Sequence, residues 1–163
     1  MIEYKKIDIT HKQDLKKLIE DVLTKLERKE FFIPFTEDEI DGMFDEEKTI
    51  IYGAFDDDKL VGTAQLYLQE SYVKDIKEII DLNDNMVVEL GGYLVLEEYK
   101  GIMKKLETIL VDEARNNGYE YIVITIHPDN IPSNKVAESI NAKIVKTTNL
   151  GDYLRNIYLL KLK

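Results

Sequence analysis

The sequence predicts a mixed α/β (α+β) fold, with a central and mostly antiparallel sheet of six or seven strands flanked by helices on both faces. Three observations predict it. Segments with the apolar pattern of strands are interleaved with segments whose apolar residues recur every three or four positions, as in helices. Most neighbouring strands are joined by short turns, which favours antiparallel pairing. Residues 86–126 predict one strand–helix–strand unit, and therefore one parallel crossover.

The first half of the chain combines an N-terminal strand, two capped helices and a hairpin. Thr10 and Gln13 form a capping box that predicts the start of the first helix, and Thr36 and Glu39 form a second one. The mostly acidic run Asp56–Lys59 supplies turn residues between two strand patterns. The predicted elements are strands 2–9, 49–55 and 60–68, and helices from Thr10 to about Leu26 and from Thr36 to about Phe44.

The second half contains the stretch around which the fold is organised. Strand 86–96 is rich in Val, Leu and Tyr and has no Lys or Arg, and helix 101–117 carries an apolar stripe. The pair Gly91-Gly92 indicates a bulge or a close approach to the strand backbone. The other predicted elements are helices 72–82 and 133–140, strand 120–126, and a terminal hairpin of strands 143–148 and 153–162.

Length and composition restrict the classes of function. The 163 residues predict one domain, 1–163, and the net charge of -10 argues against nonspecific nucleic-acid binding. An acidic surface favours cationic partners such as amines, or serves solubility alone. The chain has no cysteine, and its two histidines lack ligand spacing, so no metal site is expected. No apolar run is long enough for a membrane span, and a cytoplasmic protein is expected.

The turn between the central strand and helix is the first candidate binding site. It comprises only residues 97–101, and such a turn leaves free backbone N–H groups at the start of the helix, where an anion is stabilised. An ordinary strand–turn–helix crossover has the same sequence pattern, so both interpretations stay open.

Four motifs resemble the GNAT superfamily of acetyl-CoA-dependent N-acetyltransferases, in that family's order and spacing. They are Lys59-Leu60-Val61-Gly62, Glu98-Tyr99-Lys100-Gly101, Glu113–Tyr119 and Asn130–Ala142. The last is the most specific, since it matches the pattern Asn-x-x-Ser-x-x-Val-x-Glu-x-Leu-Gly-Ala at nearly every position. The resemblance implies the fold described above and transfer of an acetyl group from acetyl-CoA to an amine.

The resemblance also implies where acetyl-CoA binds. The family's diphosphate loop is usually Arg/Gln-x-x-Gly-x-Gly/Ala. Counted from the strand, Lys100 and Gly101 occupy the Arg-Gly positions of a loop two residues short. Counted back from the end of the helix, Glu98 stands in place of Arg or Gln, and Met103 in place of the last small residue. Asn130 would bind the pantetheine amide, although a helix cap would explain it as well. The implied cofactor-binding residues are Leu94, Val95, Leu96, Lys100, Gly101, Ile102, Met103, Lys104, Asn130 and Ser133.

Acetyl transfer requires a neutral amine, a polarised thioester carbonyl and a proton for the leaving thiolate. Glu89 is the carboxylate within the central strand, where burial would raise its pKa, so it is the candidate general base. An ion-paired or edge-exposed glutamate is the alternative. Glu89 is expected to share a strand face with Gly91 and Tyr93. The family's tyrosine acid falls at Ala137, so Tyr153 or Tyr93 would replace it, and the sequence selects neither.

The first hypothesis is therefore an N-acetyltransferase that uses acetyl-CoA to acetylate a primary amine of a small molecule or peptide by direct attack. The alternative is a GNAT-fold binding or regulatory protein without turnover, because the short loop and Ala137 depart from the family pattern. The acceptor is expected over residues 31–44, 72–82 and the terminal hairpin. The terminal strands would also allow a homodimer through edge pairing.

Overall fold

A computed structural model describes residues 1–163 and contains a seven-stranded sheet and five α-helices. The strands are β1 (Ile2–Lys6), β2 (Thr49–Asp56), β3 (Lys59–Tyr67), β4 (Val87–Val95), β5 (Tyr121–Ile126), β6 (Lys143–Leu150) and β7 (Tyr153–Lys161). The helices are α1 (Lys12–Lys25), α2 (Glu37–Gly42), α3 (Glu70–Ile79), α4 (Ile102–Asn116) and α5 (Ile131–Ser139). The spatial order is β1-β2-β3-β4-β5-β7-β6, and only β4 and β5 are parallel, which confirms the predicted mixed sheet. None of the helices combines the length and apolar character needed to cross a membrane.

Helices cover both faces of the sheet, as predicted. On one face, α3 packs its Val73 and Ile76 against apolar residues of β4, β5 and β7, among them Ile157. Tyr158, the next residue of β7, points to the opposite face and donates a hydrogen bond to Asn134 of α5 at 2.7 Å. Helices α1 and α4 both pack on β3 and β4, and therefore lie on opposite faces, with α4 beside α5.

Two predictions at the N-terminus are wrong. β1 ends at Lys6, and the helix cap is Asp8 rather than Thr10. The Asp8 carboxylate accepts the Thr10 N–H at 3.0 Å, while His11 Nδ1 accepts the Asp8 N–H at 3.1 Å. This capping box opens a 3₁₀ turn, so α1 begins only at Lys12. A carboxylate that precedes a hydroxyl in the chain reaches the free N–H groups first and is the stronger acceptor.

The second capping box and the glycine bulge are confirmed. Thr36 and Glu39 cap α2 reciprocally. In β4, Gly91 pairs with Gln65 of β3, but the next pair joins Leu94 to Thr63, so β4 has one extra residue. Gly92 lies within this bulge.

Glycine is required at the bulge for two reasons. Gly92 has a φ of 65°, a left-handed conformation in which other residues are strained. In addition, a Cβ on Gly92 would lie 2.5 Å from Gln65 Nε2, closer than van der Waals contact allows. The backbone of β4 and the buried Gln65 side chain therefore fit together only with glycine here.

The bulge changes which side chains of β4 share a face. Glu89 Oε1 lies 4.0 Å from where a Gly91 Cβ would be, so these two residues face the same side. The Tyr93 hydroxyl instead donates to Glu107 of α4 at 3.1 Å. The prediction that Tyr93 shares the face of Glu89 is wrong, because the extra residue turns Tyr93 toward the other side of the sheet.

The two central strands separate along their length. β4 and β5 are paired only over Val87–Glu89 and Tyr121–Val123, and both continue beyond that point without pairing to each other. The result is a wedge-shaped gap in the middle of the sheet. The first turns of α4 and α5 follow the ends of these strands, so the topology brings them to the wide end of the gap.

Candidate active site

The gap between β4 and β5 opens into a cleft of about 880 Å³, which is also lined by the end of α1 and by the aromatic segment 31–35 that follows it. The predicted site residues that line the cleft are Glu89, Val95, Lys100, Met103, Asn130 and Ser133. The structure thus brings together residues from β4, α4 and α5 that are up to 44 positions apart in the chain.

The remaining predicted residues do not line the cleft; they are Leu94, Leu96, Gly101, Ile102, Lys104 and Tyr153. Leu94 and Leu96 have core side chains, 1% and 4% exposed. Gly101, Ile102 and Lys104 lie at the start of α4, beside the cleft. Tyr153 begins β7, with the centre of its ring 5.3 Å from the Arg155 guanidinium carbon.

The backbone of β4 has hydrogen-bonding groups free for a ligand. The Leu96 N–H donates to the Val61 carbonyl of β3 at 3.0 Å. Because successive residues of a strand direct their N–H and C=O groups to opposite sides, those of Val95 point into the gap, where β5 has diverged. An extended chain with amide groups can pair with this edge.

The first turn of α4 lies at the wide end of the gap. The N–H groups of Ile102 and Lys104 have no backbone acceptor, whereas Met103 donates to the Lys100 carbonyl at 3.3 Å, and no side chain caps the helix. Free N–H groups and the helix dipole stabilise an anion at such a position. Met103 also narrows this end, since its sulfur lies 3.9 Å from Ser133 Oγ of α5.

Two asparagines at the start of α5 have different surroundings. The Asn130 side chain makes no hydrogen bond within the protein and does not cap the helix, although it lines the cleft. Asn134, which the sequence analysis did not single out, donates to the carbonyls of His127 at 3.0 Å and Asn130 at 2.8 Å, and accepts from Tyr158. Asn134 therefore fixes the loop, and the Asn130 amide is left free for a ligand.

Glu89 is a half-buried carboxyl group without a hydrogen-bond or ion-pair partner, on the wall of the cleft. Burial raises its pKa from 4.5 to about 7. Opposite it on β3 is Tyr67, whose ring centre lies 4.7 Å from that of Tyr72. A carboxylate with a pKa near neutrality, open to a cleft, can accept a proton from an amine.

A second carboxyl group lies behind β4. Glu107 of α4 is 1% exposed, accepts the Tyr93 hydroxyl at 3.1 Å through Oε1, and leaves Oε2 without a partner. Burial raises its pKa to about 8, against the lowering effect of the Tyr93 hydrogen bond. Tyr93 lines the cleft but Glu107 does not.

Charge is distributed unevenly along the cleft. Lys25, Arg28 and Lys100 gather near the first turns of α4 and α5, where each forms a surface ion pair with an acidic side chain. Such exposed pairs are weak, so these cations can interact with an anionic ligand. The other end carries Glu39 and Glu89, neither of which has a basic partner. The end near the first turns of α4 and α5 therefore suits an anion, and the end with Glu39 and Glu89 suits a cation.

Among the other residues that line the cleft are Tyr67, Tyr72 and Arg155, which the sequence did not mark individually, although Tyr72 and Arg155 fall within the regions where the acceptor was expected. Arg155 has a detectable signal, because it is a charged residue between Tyr153 and Ile157 in the alternate positions of β7, as Glu89 is between Val87 and Gly91 in β4. Tyr67 and Tyr72 had none, since aromatic residues at the end of a strand and the start of a helix are ordinary core residues.

Sequence comparison shows the family. The model of the acetyltransferase (GNAT) family matches residues 15–141, well over half of the chain. No curated protein sequence is significantly similar to the chain.

Solved structures have the same fold. An N-acetyltransferase from Staphylococcus aureus Mu50 is 19% identical, with a TM-score of 0.79 over 99% of this chain and 98% of that one. Arabidopsis thaliana NAA60 in complex with acetyl-CoA is 16% identical, with a TM-score of 0.74 over 98% and 96%. The ribosomal-protein-S18-alanine N-acetyltransferase from Escherichia coli is 14% identical, with a TM-score of 0.73 over 99% and 94%. On the family match, this chain belongs to the GNAT family of acetyltransferases.

Proposed function

We propose that residues 1–163 form one cytoplasmic N-acetyltransferase domain that transfers an acetyl group from acetyl-CoA to a primary amine of a small molecule or peptide. The observation that carries the proposal is the position of Glu89. This unpaired carboxyl group, with a pKa of about 7, lies on the wall of a gap into which the Val95 backbone directs its free polar groups. A thioester bound along β4 would lie next to the proton acceptor that its amine partner needs.

The cleft fits acetyl-CoA in three places. Val95 would pair its backbone with the pantetheine amides, and the free Asn130 amide would bind the same arm. The uncapped N–H groups of Ile102 and Lys104 would bind the diphosphate, with nearby lysines adding charge. Acetyl-CoA itself supplies the activated acetyl group.

The residues around the gap provide for the proton transfers. Glu89 takes a proton from the amine, whose lone pair then forms the new C–N bond as the C–S bond breaks. We assign protonation of the leaving thiolate to Tyr93 rather than Tyr153, because only Tyr93 lines the cleft. For this step the Tyr93 hydroxyl would turn from Glu107, to which it donates at 3.1 Å, toward the sulfur. Burial raises the pKa of Tyr93 well above its usual value, so the hydroxyl keeps its proton.

One observation favours the alternative, a GNAT-fold binding or regulatory protein without turnover. Met103 replaces a small residue of the family's loop and touches Ser133, so less space remains between the first turns of α4 and α5. This is where the diphosphate would be held. Cofactor binding therefore decides between the two functions.

Isothermal titration calorimetry with acetyl-CoA, with CoA as the comparison, tests the proposal. We expect a micromolar Kd for acetyl-CoA and release of free thiol when a panel of primary amines is added. Asn130→Ala should weaken acetyl-CoA binding about tenfold through one lost hydrogen bond, without loss of Tm, because its side chain bonds nothing in the protein. Absence of heat with millimolar acetyl-CoA would contradict the proposal and leave the binding protein.

A homodimer through β6 is the assembly that the sheet would allow. β6 is an edge strand, and it exposes Ile144 and Val145. Light scattering would show twice the monomer mass of 19.0 kDa, and Val145→Lys should reduce it to the monomer value.

A further inference from the structure

Arg155 of β7 has no role in the acetyl transfer described above. It is 3% exposed and lines the cleft. Its Nη1 donates only to the Leu154 carbonyl at 2.7 Å, its guanidinium lies over the Tyr153 ring, and it forms no ion pair. Burying a guanidinium without an anionic partner is unfavourable. Arg155 therefore lacks the anion that would compensate its charge.

Arg155 lies on the same face of the sheet as Glu89. Val87 of β4 and Ile157 of β7 pack together under α3. Alternation along uninterrupted strand segments places Glu89, two residues after Val87, and Arg155, two residues before Ile157, on that same face. Both line the cleft, from opposite sides of the gap, and they do not form an ion pair with each other. A ligand in the cleft can therefore meet both a free carboxylate and a free guanidinium.

We propose that Arg155 binds a carboxylate of the acceptor, so that the enzyme acetylates low-molecular-weight amino acids, with the amine at Glu89 and the carboxylate at Arg155. The inference rests on the proposed acetyltransferase function. A guanidinium binds a carboxylate through two parallel hydrogen bonds, which fixes orientation as well as adding affinity. An acceptor held at both ends would present its amine to the thioester in one pose.

A carboxylate of the acceptor is a better partner for the Arg155 guanidinium than the phosphate groups of acetyl-CoA. The free N–H groups that suit a diphosphate belong to α4, which covers the opposite face of the sheet, and other cations gather near them. A plain amine would need only the acidic end of the cleft, where Glu39 and Glu89 lie. Without Arg155 that end would repel a carboxylate.

The test compares amino acids with their carboxamides, which keep the amine but lose the negative charge. The wild-type protein should prefer the amino acid by about 10- to 100-fold in kcat/KM. Arg155→Gln should raise the KM for the amino acid by a similar factor, while the carboxamide and the Kd for acetyl-CoA change by less than threefold. Arg155→Lys should restore part of the preference, because it keeps the charge but not the paired hydrogen bonds.

Calorimetric titration of the wild-type protein with the amino acids and carboxamides adds a readout that needs neither turnover nor a folded variant. Equal affinity for the two members of each pair would overturn the role of Arg155. So would a loss of acetyl-CoA binding in Arg155→Gln equal to the loss for the amino acid, since the guanidinium would then serve the cofactor. Failure of the proposed function has a different signature: acetyl-CoA does not bind, while amino acids still bind in preference to carboxamides.

Discussion

Glu89 and Glu107 lie near the same strand, and both have a raised pKa, but they occupy different surroundings. Glu89 is part of β4 and lines the cleft, whereas Glu107 belongs to α4 and is sealed between that helix and the sheet. Burial raises the pKa of Glu89 to about 7 and that of Glu107 to about 8. A raised pKa therefore occurs also in a group that no ligand in the cleft can reach.

The difference teaches that a perturbed pKa marks burial, and that access to the cleft decides whether the group can act on a substrate. Tyr93 lies between the two surroundings, because it lines the cleft while its hydroxyl donates a hydrogen bond to Glu107. Glu107 can thus orient Tyr93 without meeting the acceptor. Four predictions separate the two carboxyl groups.

Glu89→Gln should produce the largest effect, a loss of about 100- to 1,000-fold in kcat/KM for acetyl transfer, because the amide cannot accept the amine proton. Thiol release at saturating acetyl-CoA and subsaturating amine measures it. The Kd for acetyl-CoA should stay within threefold. Glu107→Gln is the matched control and should keep kcat/KM within about threefold, since Gln still accepts the Tyr93 hydroxyl. Equal losses in the two variants would show that Glu89 is not a base but part of the same structural unit.

The pH profile should separate the two groups next. A base acts in its ionised form, so kcat/KM should rise about tenfold per pH unit below about 7 and level off above it. The profile should be unchanged in Glu107→Gln and should lose this limb in Glu89→Gln. An inflection near 8 that disappears in Glu107→Gln would assign the titration to the buried group instead.

The sequence predicted the strand that carries Glu89 and the helix that carries Glu107, but not how that helix packs on the strand. The Val, Leu and Tyr content of residues 86–96, with no Lys or Arg, was sufficient to place Glu89 in a buried strand. Glu107 was not singled out, because a glutamate among the lysines of an amphipathic helix has the pattern of an exposed residue. Its burial follows from the packing of α4 on β4, which is a tertiary contact.

Tertiary structure also determines two other features that the sequence did not predict: the face of β4 on which Tyr93 lies, and the residues that surround Arg155. The pair Gly91-Gly92 indicated a bulge, but nothing in the sequence states which strand carries the extra residue, and so the direction of Tyr93 was predicted wrongly. Arg155 was detectable as a charged residue between Tyr153 and Ile157 in the alternate positions of β7. Its position in the same cleft as Glu89 follows only from the order of strands in the sheet, in which β5 lies between β4 and β7.

Gly92→Ala tests the packing of the bulge that turns Tyr93, the partner of Glu107, away from the face of Glu89. A Cβ there meets Gln65 Nε2 at 2.5 Å on a backbone with a φ of 65°, so we expect a loss of about 1–3 kcal/mol in the free energy of unfolding. Urea unfolding measures it, and acetyl-CoA affinity should fall because β4 carries the open edge. Gly101→Ala is the control, since its φ is −64° and a Cβ would touch nothing within 4 Å. Equal stability of the two variants would contradict the packing described for the bulge.

The smallest expected effect is a pH-dependent gain in Tm for Glu107→Gln. The folded protein raises the pKa of Glu107 above its ordinary value of 4.5, so this group favours folding below about 4.5 and loses that contribution as the pH rises to about 8. Gln cannot ionise, so the variant should have a Tm above that of the wild type by on the order of 5 °C at pH 9, and a much smaller difference near pH 4.5.

Glu89→Gln should show the same trend with two differences that follow from its position. Its gain in Tm should reach a plateau by about pH 7, and it should be smaller, because water in the cleft already solvates the ionised carboxylate. Differential scanning fluorimetry of both variants across pH 4.5–9 measures the two curves. A gain in Glu107→Gln that is as large at pH 4.5 as at pH 9 would show that packing rather than charge distinguishes the buried carboxyl group from the one in the cleft.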